Sequence, residues 1–434
     1  MHTTVFEYGY LTSQEVDQTV LKTSRISENA YNYLKEVCLG SDLGSVGKCL
    51  NLTKRYGYEL IQVKNYVGVL FTPTGEHIEV LPKVGSKQKD SKLSVEESRE
   101  MLLMMLQHLG SFRHVSTNQA NIASKKIPLL EVFINQFLQA VNSLVKKGLK
   151  SDYVTQVENL NYKKGKLLTA QQVKHNLVNK HKFYVEYDEY LINRPVNRLI
   201  KTALHKLSRY AMLASNQKLL RELQFAFHDV PESKFVKQDL NAVKLDRGMR
   251  DYHVPLAWAK LILEGFSPLS MKGDHGAISL LFPMEAVFES YVVSVLRSEL
   301  PNGVELTSQA CSEYLVKHNE RSQFQLKPDL LITSPGGSKI VLDTKWKLID
   351  LDEYHYGISQ ADLYQMFAYG QKYLGGEGDL FLVYPAHEDF TKPIAHSFNF
   401  SNSLKLWVVP FISDLQGKSR LIWPENFSYD GSIS

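Results

Sequence analysis

The segment KPDLLITSPGGSKIVLDTKWKL, residues 327–348, has the composition of two β-strands around a turn, yet it contains three charged side chains where buried strands favour apolar ones. They are Asp329, Asp343 and Lys345. Carboxylates hold divalent cations, and an ammonium group beside such a cation stabilises charge that develops on a phosphate. The three residue types therefore point to metal-dependent phosphate chemistry, provided that the chain brings them together.

A hairpin would bring the two aspartates together. If its loop is Ser334 to Ser338, SPGGS, then Thr333 pairs with Lys339 and Asp329 lies opposite Asp343. Two carboxylates at such facing positions, with Cα atoms about 4.5–5.5 Å apart, repel each other. A divalent cation between them removes this cost. Mg²⁺ suits the arrangement, because it accepts one or two carboxylates and keeps water and substrate phosphate oxygens as its other ligands.

Lys345 follows Asp343 by two residues, so the period of a strand places both side chains on one face, together with Val341 and Lys347. We expect the opposite face to pack and this face to carry the chemistry. The residues fit the pattern P-D-x(n)-[DE]-x-K, with thirteen residues between Asp329 and Asp343. The pattern is short, and two ordinary hairpin charges beside a solvated lysine also explain it, so its flanking elements must decide.

A predicted helix precedes the hairpin. Residues 282–300 place a stripe of apolar residues on one side, with Glu285 and Glu289 at its edge, four residues apart. Either glutamate is a candidate metal ligand, and Glu289 is the preferred one. A solvated glutamate at a helix edge is the alternative.

A second predicted helix follows the hairpin. Residues 359–374 begin with a Ser-x-x-Asp cap and place Asp362, Gln365, Tyr369 and Tyr373 on one face. Because this strip combines an amide with polar aromatic groups, we expect it to contact DNA.

The whole chain predicts an α+β multidomain protein. Its 434 residues, 44% apolar and 22% charged, are enough for two or three cores. Residues 1–120 indicate a small mixed α+β N-terminal domain, 121–270 a helical, lysine-rich middle region, and 271–434 an α/β domain that contains the hairpin. Strands predicted at 379–385 and 404–411 follow the second helix, which implies a right-handed crossover beside the metal-binding strand.

Charge and cysteine usage limit the partners. The net charge is +4, but nine lysines stand against two acidic residues between Val145 and Val185. This run either follows a phosphate backbone or forms a solvated surface, and the sequence favours neither. Three scattered cysteines indicate neither a disulfide framework nor a zinc site. With no apolar run of about 18 residues and no secretory signal, we expect a cytoplasmic protein without membrane association.

One glycine-containing segment, GSVGKCL at residues 44–50, looks like the end of a phosphate-binding loop. That loop requires G-x-x-x-x-G-K-[ST], whereas Asp42 occupies the first glycine position and Cys49 the hydroxyl position. We therefore expect no nucleotide site here, so any nucleotide-driven step must come from another chain.

The order of elements in residues 280–411 resembles the restriction-endonuclease-like, or PD-(D/E)xK, nuclease fold. Gln365 and Tyr369 resemble the Q-x-x-x-Y element of its RecB-like branch, which lies near the active site and the nucleic acid. The whole chain is similar to the McrC family, the nuclease partner of an AAA+ GTPase in modification-dependent restriction. The similar segments are VGVLFTPTGEHIEVLPK (67–83), LINRPVNRLIKTALHKL (191–207), LLFPMEAVFESYV (280–292) and the hairpin.

The resemblance implies a Mg²⁺-dependent DNA endonuclease subunit that cuts double-stranded DNA in an antiviral restriction system. Its partner would be a McrB-like AAA+ GTPase oligomer, which this chain stimulates through its N-terminal region. The candidate site residues are Asp329, Asp343, Lys345, Glu289, Gln365 and Tyr369, with Asp329, Asp343 and Glu289 as the metal ligands. The hairpin tip at residues 73–76 is the candidate contact with the GTPase, because a rigid tip loses little conformational entropy on docking.

Two other functions stay open. One is a stand-alone RecB-like repair or processing nuclease, against which the large N-terminal half counts. The other is a non-enzymatic, GTPase-activating subunit whose hairpin charges are structural. The sequence leaves open the modified base or site recognised, the position of the cut and the stoichiometry of the complex.

Overall fold

The computed structural model describes most of the 434-residue chain. The described residues are 2–17, 19–39, 49–72, 75–83, 91–109, 128–243, 245, 247–264, 280–425 and 427. The chain forms two compact units, one made of Met1–Lys125 with Ser267–Ser434 and the other of Lys126–Phe266. The first and last thirds of the sequence therefore build one unit together.

The described residues in the first part of the larger unit form seven strands and two helices. They are β1 (His2–Phe6), β2 (Tyr10–Thr12), β3 (Thr23–Arg25), α1 (Glu28–Leu39), β4 (Leu50–Arg55), β5 (Tyr58–Val63), β6 (Tyr66–Phe71), β7 (His77–Leu81) and α2 (Ser91–Leu106). Strands β3, β2, β5 and β4 form one sheet in that order. Helix α1 begins after Ser27, whose Oγ accepts a hydrogen bond from the Ala30 N–H at 3.2 Å, and it buries Ala30, Leu34 and Val37 against this sheet.

The smaller unit is mainly helical. Its elements are α3 (Leu129–Lys147), β8 (Asp152–Leu160), β9 (Lys166–Leu167), α4 (Thr169–Asn176), β10 (Phe183–Leu191), α5 (Pro195–Leu207), α6 (Ala214–Ala226), α7 (Val236–Ala242), a 3₁₀ turn (Arg247–Tyr252) and α8 (His253–Glu264). The helices predicted at 127–148 and 192–214 are confirmed, although the second ends at Leu207.

The lysine-rich segment of this unit differs from the predicted helical character of the middle region. Its residues form the sheet β8-β10-β9, in which Phe183–Leu191 pairs antiparallel with Asp152–Leu160. Both strands are rich in tyrosine and valine, residue types that favour extended structure. The abundance of lysine concealed this strand-forming composition.

The last part of the chain contains β11 (Leu280–Pro283), α9 (Met284–Glu299), β12 (Glu305–Ser308), β13 (Tyr314–His318), β14 (Arg321–Gln325), β15 (Leu330–Thr333), β16 (Lys339–Thr344), a 3₁₀ turn (Tyr354–Gly357), α10 (Gln360–Tyr373), β17 (Gly378–Pro385), β18 (Phe398–Asn399), β19 (Leu404–Ile412) and β20 (Arg420–Leu421). Both flanking helices predicted from the sequence are confirmed. The predicted cap of α10 is also present, because Ser359 Oγ accepts a hydrogen bond from the Asp362 N–H at 3.1 Å.

A mixed sheet lies at the centre of this part, with the order β12-β15-β16-β17-β19-β18 and with β20 beside β19. The predicted hairpin is confirmed in register, since Thr333 pairs with Lys339 and the pairing ends at Leu330 and Leu342. Its loop closes through a 2.9 Å hydrogen bond from Ser334 N to Ser338 O. Strand β17 runs parallel to β16 after α10, as the crossover requires.

Strand β16 has helices on both sides, because α9 and α10 both contact it. Val341, Leu342, Asp343 and Thr344 are consequently all buried. The expectation that one face packs while the other remains free for chemistry is therefore wrong. The chemistry-bearing residues lie at the carboxyl end of a central strand, where the sheet meets the loops that follow β16 and precede β15.

A second sheet joins the two ends of the sequence within the larger unit. Its order is β1-β7-β6-β11, so the predicted hairpin β6–β7 is confirmed and Leu280–Pro283 completes it. Gly68 makes this pairing possible, since its φ is +131° and a Cβ atom there would lie 1.9 Å from Leu280 O. The similar segments 67–83 and 280–292 thus pack against each other.

The predicted contact tip at residues 73–76 is corrected in part. Pro73 and Thr74 lie outside the described residues. Glu76 is buried rather than exposed, and its carboxylate accepts hydrogen bonds from Ser27 N and, at 2.6 Å, from Ser27 Oγ. The Glu76 carboxylate therefore binds Ser27 within the fold rather than facing a partner.

The predictions on the phosphate-binding loop and on membrane spans are checked only within the described residues. Residues 44–48 of the rejected phosphate-binding loop lie outside it. In the part of the chain that the structure describes, no helix is long and apolar enough to cross a membrane. The division into domains 1–120, 121–270 and 271–434 stays a prediction.

Candidate active site

Asp329 lies immediately before β15, at the position that faces Asp343 by the register of the hairpin. Its Oδ2 accepts hydrogen bonds from Thr344 N at 2.7 Å and from Thr344 Oγ1 at 2.6 Å. Its carbonyl accepts a 2.8 Å hydrogen bond from Gln309 N. Because one side chain binds both the main chain and the hydroxyl of Thr344, Asp329 is held against the end of the neighbouring strand.

Asp343 is only 2% exposed and lies between β15 and β17. Lys345 Nζ is 2.7 Å from Asp343 Oδ2, which is an ion pair by distance, although this buried oxygen has no hydrogen-bond partner of good geometry among the described residues. Burial, followed by the charge of Asp329, raises the pKa of Asp343 to about 7, and the nearby Lys345 opposes that rise. Burial also raises the pKa of Asp329.

Lys345 lies between several carboxylates. Its Nζ is 2.7 Å from Asp343 Oδ2 and 3.6 Å from Asp362 Oδ1, and it donates a 3.1 Å hydrogen bond to Gln365 Oε1. Burial alone lowers the pKa of Lys345, but Asp343 and the other carboxylates outweigh this effect and raise it above the ordinary value. Lys345 is therefore an ammonium group at neutral pH, suited to stabilise negative charge rather than to accept a proton.

The polar strip of α10 lies beside this cluster, but it is not the DNA-facing surface that the sequence predicted. Tyr369 and Tyr373 are buried, and their hydroxyls donate to backbone carbonyls, that of Tyr369 to Lys327 O at 2.9 Å. Gln365 Nε2 donates to the Tyr369 hydroxyl at 2.8 Å. A line of hydrogen bonds thus runs from Lys345 through Gln365 and Tyr369 to the segment that precedes Asp329.

The two candidate glutamates of α9 differ in their surroundings. Glu289 Oε1 accepts a 3.0 Å hydrogen bond from Gln309, and burial together with the charge of Asp329 raises the pKa of Glu289 to about 7. Glu285 instead accepts a 2.9 Å hydrogen bond from Asn65. Because the Gln309 backbone N–H also donates to Asp329 O, a single residue links Glu289 to Asp329, which favours Glu289 over Glu285.

The aspartate pair suits a divalent cation. Two neighbouring carboxylates whose pKa values are raised by burial, one of them with an oxygen that lacks a good hydrogen bond, are stabilised when a cation supplies the missing positive charge. Among the described residues, however, no three His, Cys, Asp or Glu side chains are grouped closely enough to hold a metal ion. The place of Glu289 as a third ligand stays a prediction.

Comparison with protein families identifies the chain. The family model described as McrBC 5-methylcytosine restriction system component matches residues 61–385. The chain belongs to the McrBC family. The matched range includes strands β6 and β11 as well as Asp329, Asp343 and Lys345, and the predicted resemblance to the McrC family is confirmed. No curated protein is similar enough to the chain to count as a match.

One of two solved structures that resemble this chain supports its fold. A chain from the refined half-complex of the tetradecameric assembly of Thermococcus gammatolerans McrB AAA+ hexamers with bound McrC is 19% identical, with a TM-score of 0.67 over 96% of each chain. A chain from the electron cryomicroscopy structure of the Thermococcus gammatolerans McrBC complex is also 19% identical, with a TM-score of 0.48 over 70% of this chain and 89% of that one. The first likeness supports the mixed α+β multidomain fold.

Sequence analysis missed several groups that surround the site of this McrBC family member. Thr344 binds Asp329, and Gln309 links Glu289 to the main chain of Asp329. Asp362 was predicted to lie on the DNA-contacting strip, and its approach to Lys345 was not foreseen. Thr344 stands inside the pattern, so its proximity to a carboxylate was available as a signal. Gln309 lies outside any motif, and only the folded structure places it here.

Proposed function

We propose that this chain is the Mg²⁺-dependent endonuclease subunit of a GTPase-driven restriction complex and cleaves phosphodiester bonds in double-stranded DNA. The observation that carries the proposal is the group of Asp329, Asp343 and Lys345 at the end of a central strand, with the two carboxylates held beside each other at a cost in free energy. Membership of the McrBC family supports the same conclusion. The last third of the chain would then be a PD-(D/E)xK nuclease domain.

Each residue of the group has a role in this proposal. Asp329 and Asp343 would hold Mg²⁺, which when bound supplies positive charge to the scissile phosphate and to an attacking water. Thr344 orients Asp329 through two short hydrogen bonds. Lys345 keeps its proton and stabilises the negative charge that develops on the phosphate oxygens.

Gln365 and Tyr369 are positioning residues in this proposal. Gln365 accepts from Lys345 and donates to Tyr369, while the Tyr369 hydroxyl donates to Lys327 O. This line fixes the distance between α10 and the chain segment that leads to Asp329. Removal of the Gln365 amide would leave Lys345 with its carboxylate contacts only, so we expect a weaker hold on the ammonium group.

An exposed hairpin provides a surface for duplex DNA next to this group. Strands β13 and β14 pair antiparallel, every residue of both is exposed, and β14 ends at Gln325, shortly before Asp329. Lys317, His318 and Arg321 lie at its tip. A two-stranded ribbon fits the major groove, and basic residues at its tip contact phosphates. We assign DNA contact to this hairpin rather than to the buried tyrosines of α10.

The AAA+ partner is part of the proposal. The Thermococcus gammatolerans neighbour is a complex of McrB AAA+ hexamers with bound McrC, and the present chain would occupy the McrC position, with residues 1–120 engaging the GTPase. Stimulation of GTP hydrolysis would then accompany DNA cutting, and the absence of a complete phosphate-binding loop at residues 42–49 fits a division of labour between two chains.

The test uses the full chain, a McrB-like GTPase, GTP, Mg²⁺ and plasmids with or without 5-methylcytosine. We expect linearisation only when all components are present, and loss of cutting with EDTA or with Asp329→Asn. Cutting by the chain without the GTPase would instead support the stand-alone nuclease. GTPase stimulation without any cutting by the wild-type chain would support the non-enzymatic subunit.

A further inference from the structure

A buried glutamate near the N-terminus reaches the strand that carries the candidate catalytic residues. Glu7 follows β1, and its backbone N–H donates to Leu81 O at 2.9 Å. Its Oε1 accepts two hydrogen bonds of 2.8 Å, one from the Lys83 N–H and one from the indole Nε1–H of Trp346. The sheet β1-β7-β6-β11 thus holds a carboxylate against a residue that lies 339 positions further along the chain.

Trp346 directly follows Lys345. Its indole is buried and packs against Phe288 with ring centroids 5.1 Å apart, and Phe288 precedes Glu289 on α9. On the other side, the Lys345 N–H donates to Val383 O at 2.9 Å. The peptide between Lys345 and Trp346 is therefore fixed by β17 on one side and by the indole contacts on the other, and the Lys345 side chain starts from this fixed point.

The burial of Glu7 has a cost that packing alone does not explain. Only 3% of Glu7 is exposed, and its second oxygen, Oε2, has no hydrogen-bond partner among the described residues. Burial raises the pKa of Glu7 to about 6. A buried polar oxygen without a partner destabilises the folded state. Such a residue is expected where function requires it.

The location of Glu7 agrees with a functional role. A cavity of about 530 Å³ has Glu7 in its wall together with Lys345, Asp362 and Tyr384. The wall of this cavity is thus shared between the N-terminal segment and the proposed nuclease centre. A change in the position of Glu7 reaches Lys345 through a single intervening side chain.

We propose that Glu7 is a positioning residue of the nuclease centre, which holds Trp346 by its indole N–H and thereby sets the position of the Lys345 ammonium group. This inference rests on the proposed nuclease function. It assigns a role in DNA cutting to a residue of the first strand region, and it gives the buried acceptor oxygen Oε1 a function.

The experiment compares Glu7→Ala, Glu7→Gln and Trp346→Phe in the full chain with a McrB-like GTPase, GTP, Mg²⁺ and plasmid DNA. Glu7→Ala removes the acceptor, Trp346→Phe removes the donor and keeps a ring, and Glu7→Gln keeps an acceptor oxygen. Since a displacement of about 1 Å costs up to about 10²-fold in rate, we expect kcat to fall by about 10- to 100-fold for the first two variants. Glu7→Gln should stay within about threefold, and KM should change little for all three, because Glu7 does not touch DNA.

Glu79 provides a matched control. It is 1% exposed in the same sheet, and Arg99 donates two hydrogen bonds of 2.7 Å to its carboxylate. The other described partners of this carboxylate are Thr4 and His2, which lie on β1 rather than on β16. Glu79→Gln should lower the melting temperature without lowering kcat of the folded protein. The proposal is overturned if Glu7→Ala and Trp346→Phe keep wild-type kcat, or if Glu79→Gln loses kcat to the same extent. Wild-type protein that does not cut under any condition would overturn the nuclease function itself.

Discussion

Two buried carboxylates, Glu131 in the smaller unit and Asp343 in the larger one, are almost equally hidden, with 3% and 2% of the residue exposed. Glu131 is fully used in hydrogen bonding. Its Oε1 accepts from the Met212 and Leu213 N–H groups and its Oε2 accepts from Asn216 Nδ2 at 2.7 Å, where α6 begins. Asp343 instead faces another carboxylate, and its Oδ2 has an ion pair with Lys345 but no good hydrogen bond.

We interpret this difference as that between a structural carboxylate, Glu131, and the proposed metal ligand Asp343. Burial is common to both residues and therefore does not mark a site. Hydrogen bonds from backbone N–H groups satisfy Glu131, and they fix the segment that leads into α6. Asp343 is destabilised by Asp329, and only an additional positive charge relieves it. An unsatisfied buried group beside a like charge is thus the stronger indicator of chemistry.

The most direct test of this comparison changes each carboxylate to its amide. Asp343→Asn should reduce DNA cutting by about 10³-fold or more, as for loss of a preorganised electrostatic group, and should raise the melting temperature in EDTA because repulsion from Asp329 is removed. Glu131→Gln should lower the free energy of unfolding by about 1–3 kcal/mol, since Asn216 then faces a second amide donor, and leave cutting by the folded chain unchanged. Plasmid linearisation and thermal melts measure both effects.

The opposite results would break the comparison. A large fall in the melting temperature of Asp343→Asn in EDTA would make Asp343 a structural charge, like Glu131. Loss of cutting by folded Glu131→Gln would show that full hydrogen bonding does not exclude a functional role.

The parts of the site predicted from sequence are those that depend on local order. The turn segment SPGGS and the two-residue period of strands were sufficient to predict the pairing of Thr333 with Lys339, and thus the proximity of Asp329 and Asp343. The Ser-x-x-Asp signal similarly predicted the start of α10 at Ser359.

The parts that sequence reasoning missed depend on distant contacts. The spacing of Tyr369 and Tyr373 predicted a shared helix face but not the direction of that face, and in the structure both are buried. The contact between Glu7 and Trp346 joins strands from opposite ends of the sequence, so no local pattern reports it. The strands β8 and β10 were missed because lysines obscured a composition typical of strands.

Substitution of Lys345 tests whether the ammonium group that pairs with Asp343 is required for DNA cutting. Lys345→Ala should reduce cutting by about 10²-fold or more, as loss of a group that stabilises the transition state does. Lys347→Ala is the matched control, because Lys347 is exposed and its Nζ donates to Gly357 O, away from Asp343. Single-turnover cutting of plasmid DNA measures both rates. Equal losses in the two variants would show that general positive charge, and not the position of Lys345, matters.

The pH dependence of Mg²⁺ binding sharpens the comparison further. Because the pKa of Asp343 is raised to about 7, the folded metal-free chain keeps a proton between about pH 4 and 7 that the unfolded chain has released. The free energy of unfolding should therefore fall as pH rises through this window. Mg²⁺ must displace the same proton, so its affinity should fall by about tenfold for each pH unit below 7.

Calorimetric titration of Mg²⁺ between pH 5.5 and 8 measures this dependence without any cutting assay. Glu131→Gln should reproduce the wild-type profile, whereas Asp343→Asn should bind weakly at every pH. An affinity for Mg²⁺ that does not change across this range in the wild-type chain would contradict the raised pKa as the source of the coupling.

The smallest expected effect concerns the approach of DNA rather than the site itself. The double variant Lys317→Ala/Arg321→Ala removes two positive charges from the exposed tip of the hairpin β13–β14. DNA affinity should fall by about 3- to 10-fold, and the slope of its dependence on salt concentration should fall by about 2, one for each lost phosphate contact.

The control Lys372→Ala/Lys405→Ala removes the same charge, and Lys405 lies three residues before Val408, which is level with Asp343 across the parallel strands. Because Lys405 is thus at the other end of the sheet, this control should leave both quantities unchanged. If both double variants weaken binding alike, net charge alone attracts DNA and the hairpin has no specific role; if only the hairpin variant does, the duplex reaches Asp343 along β13 and β14.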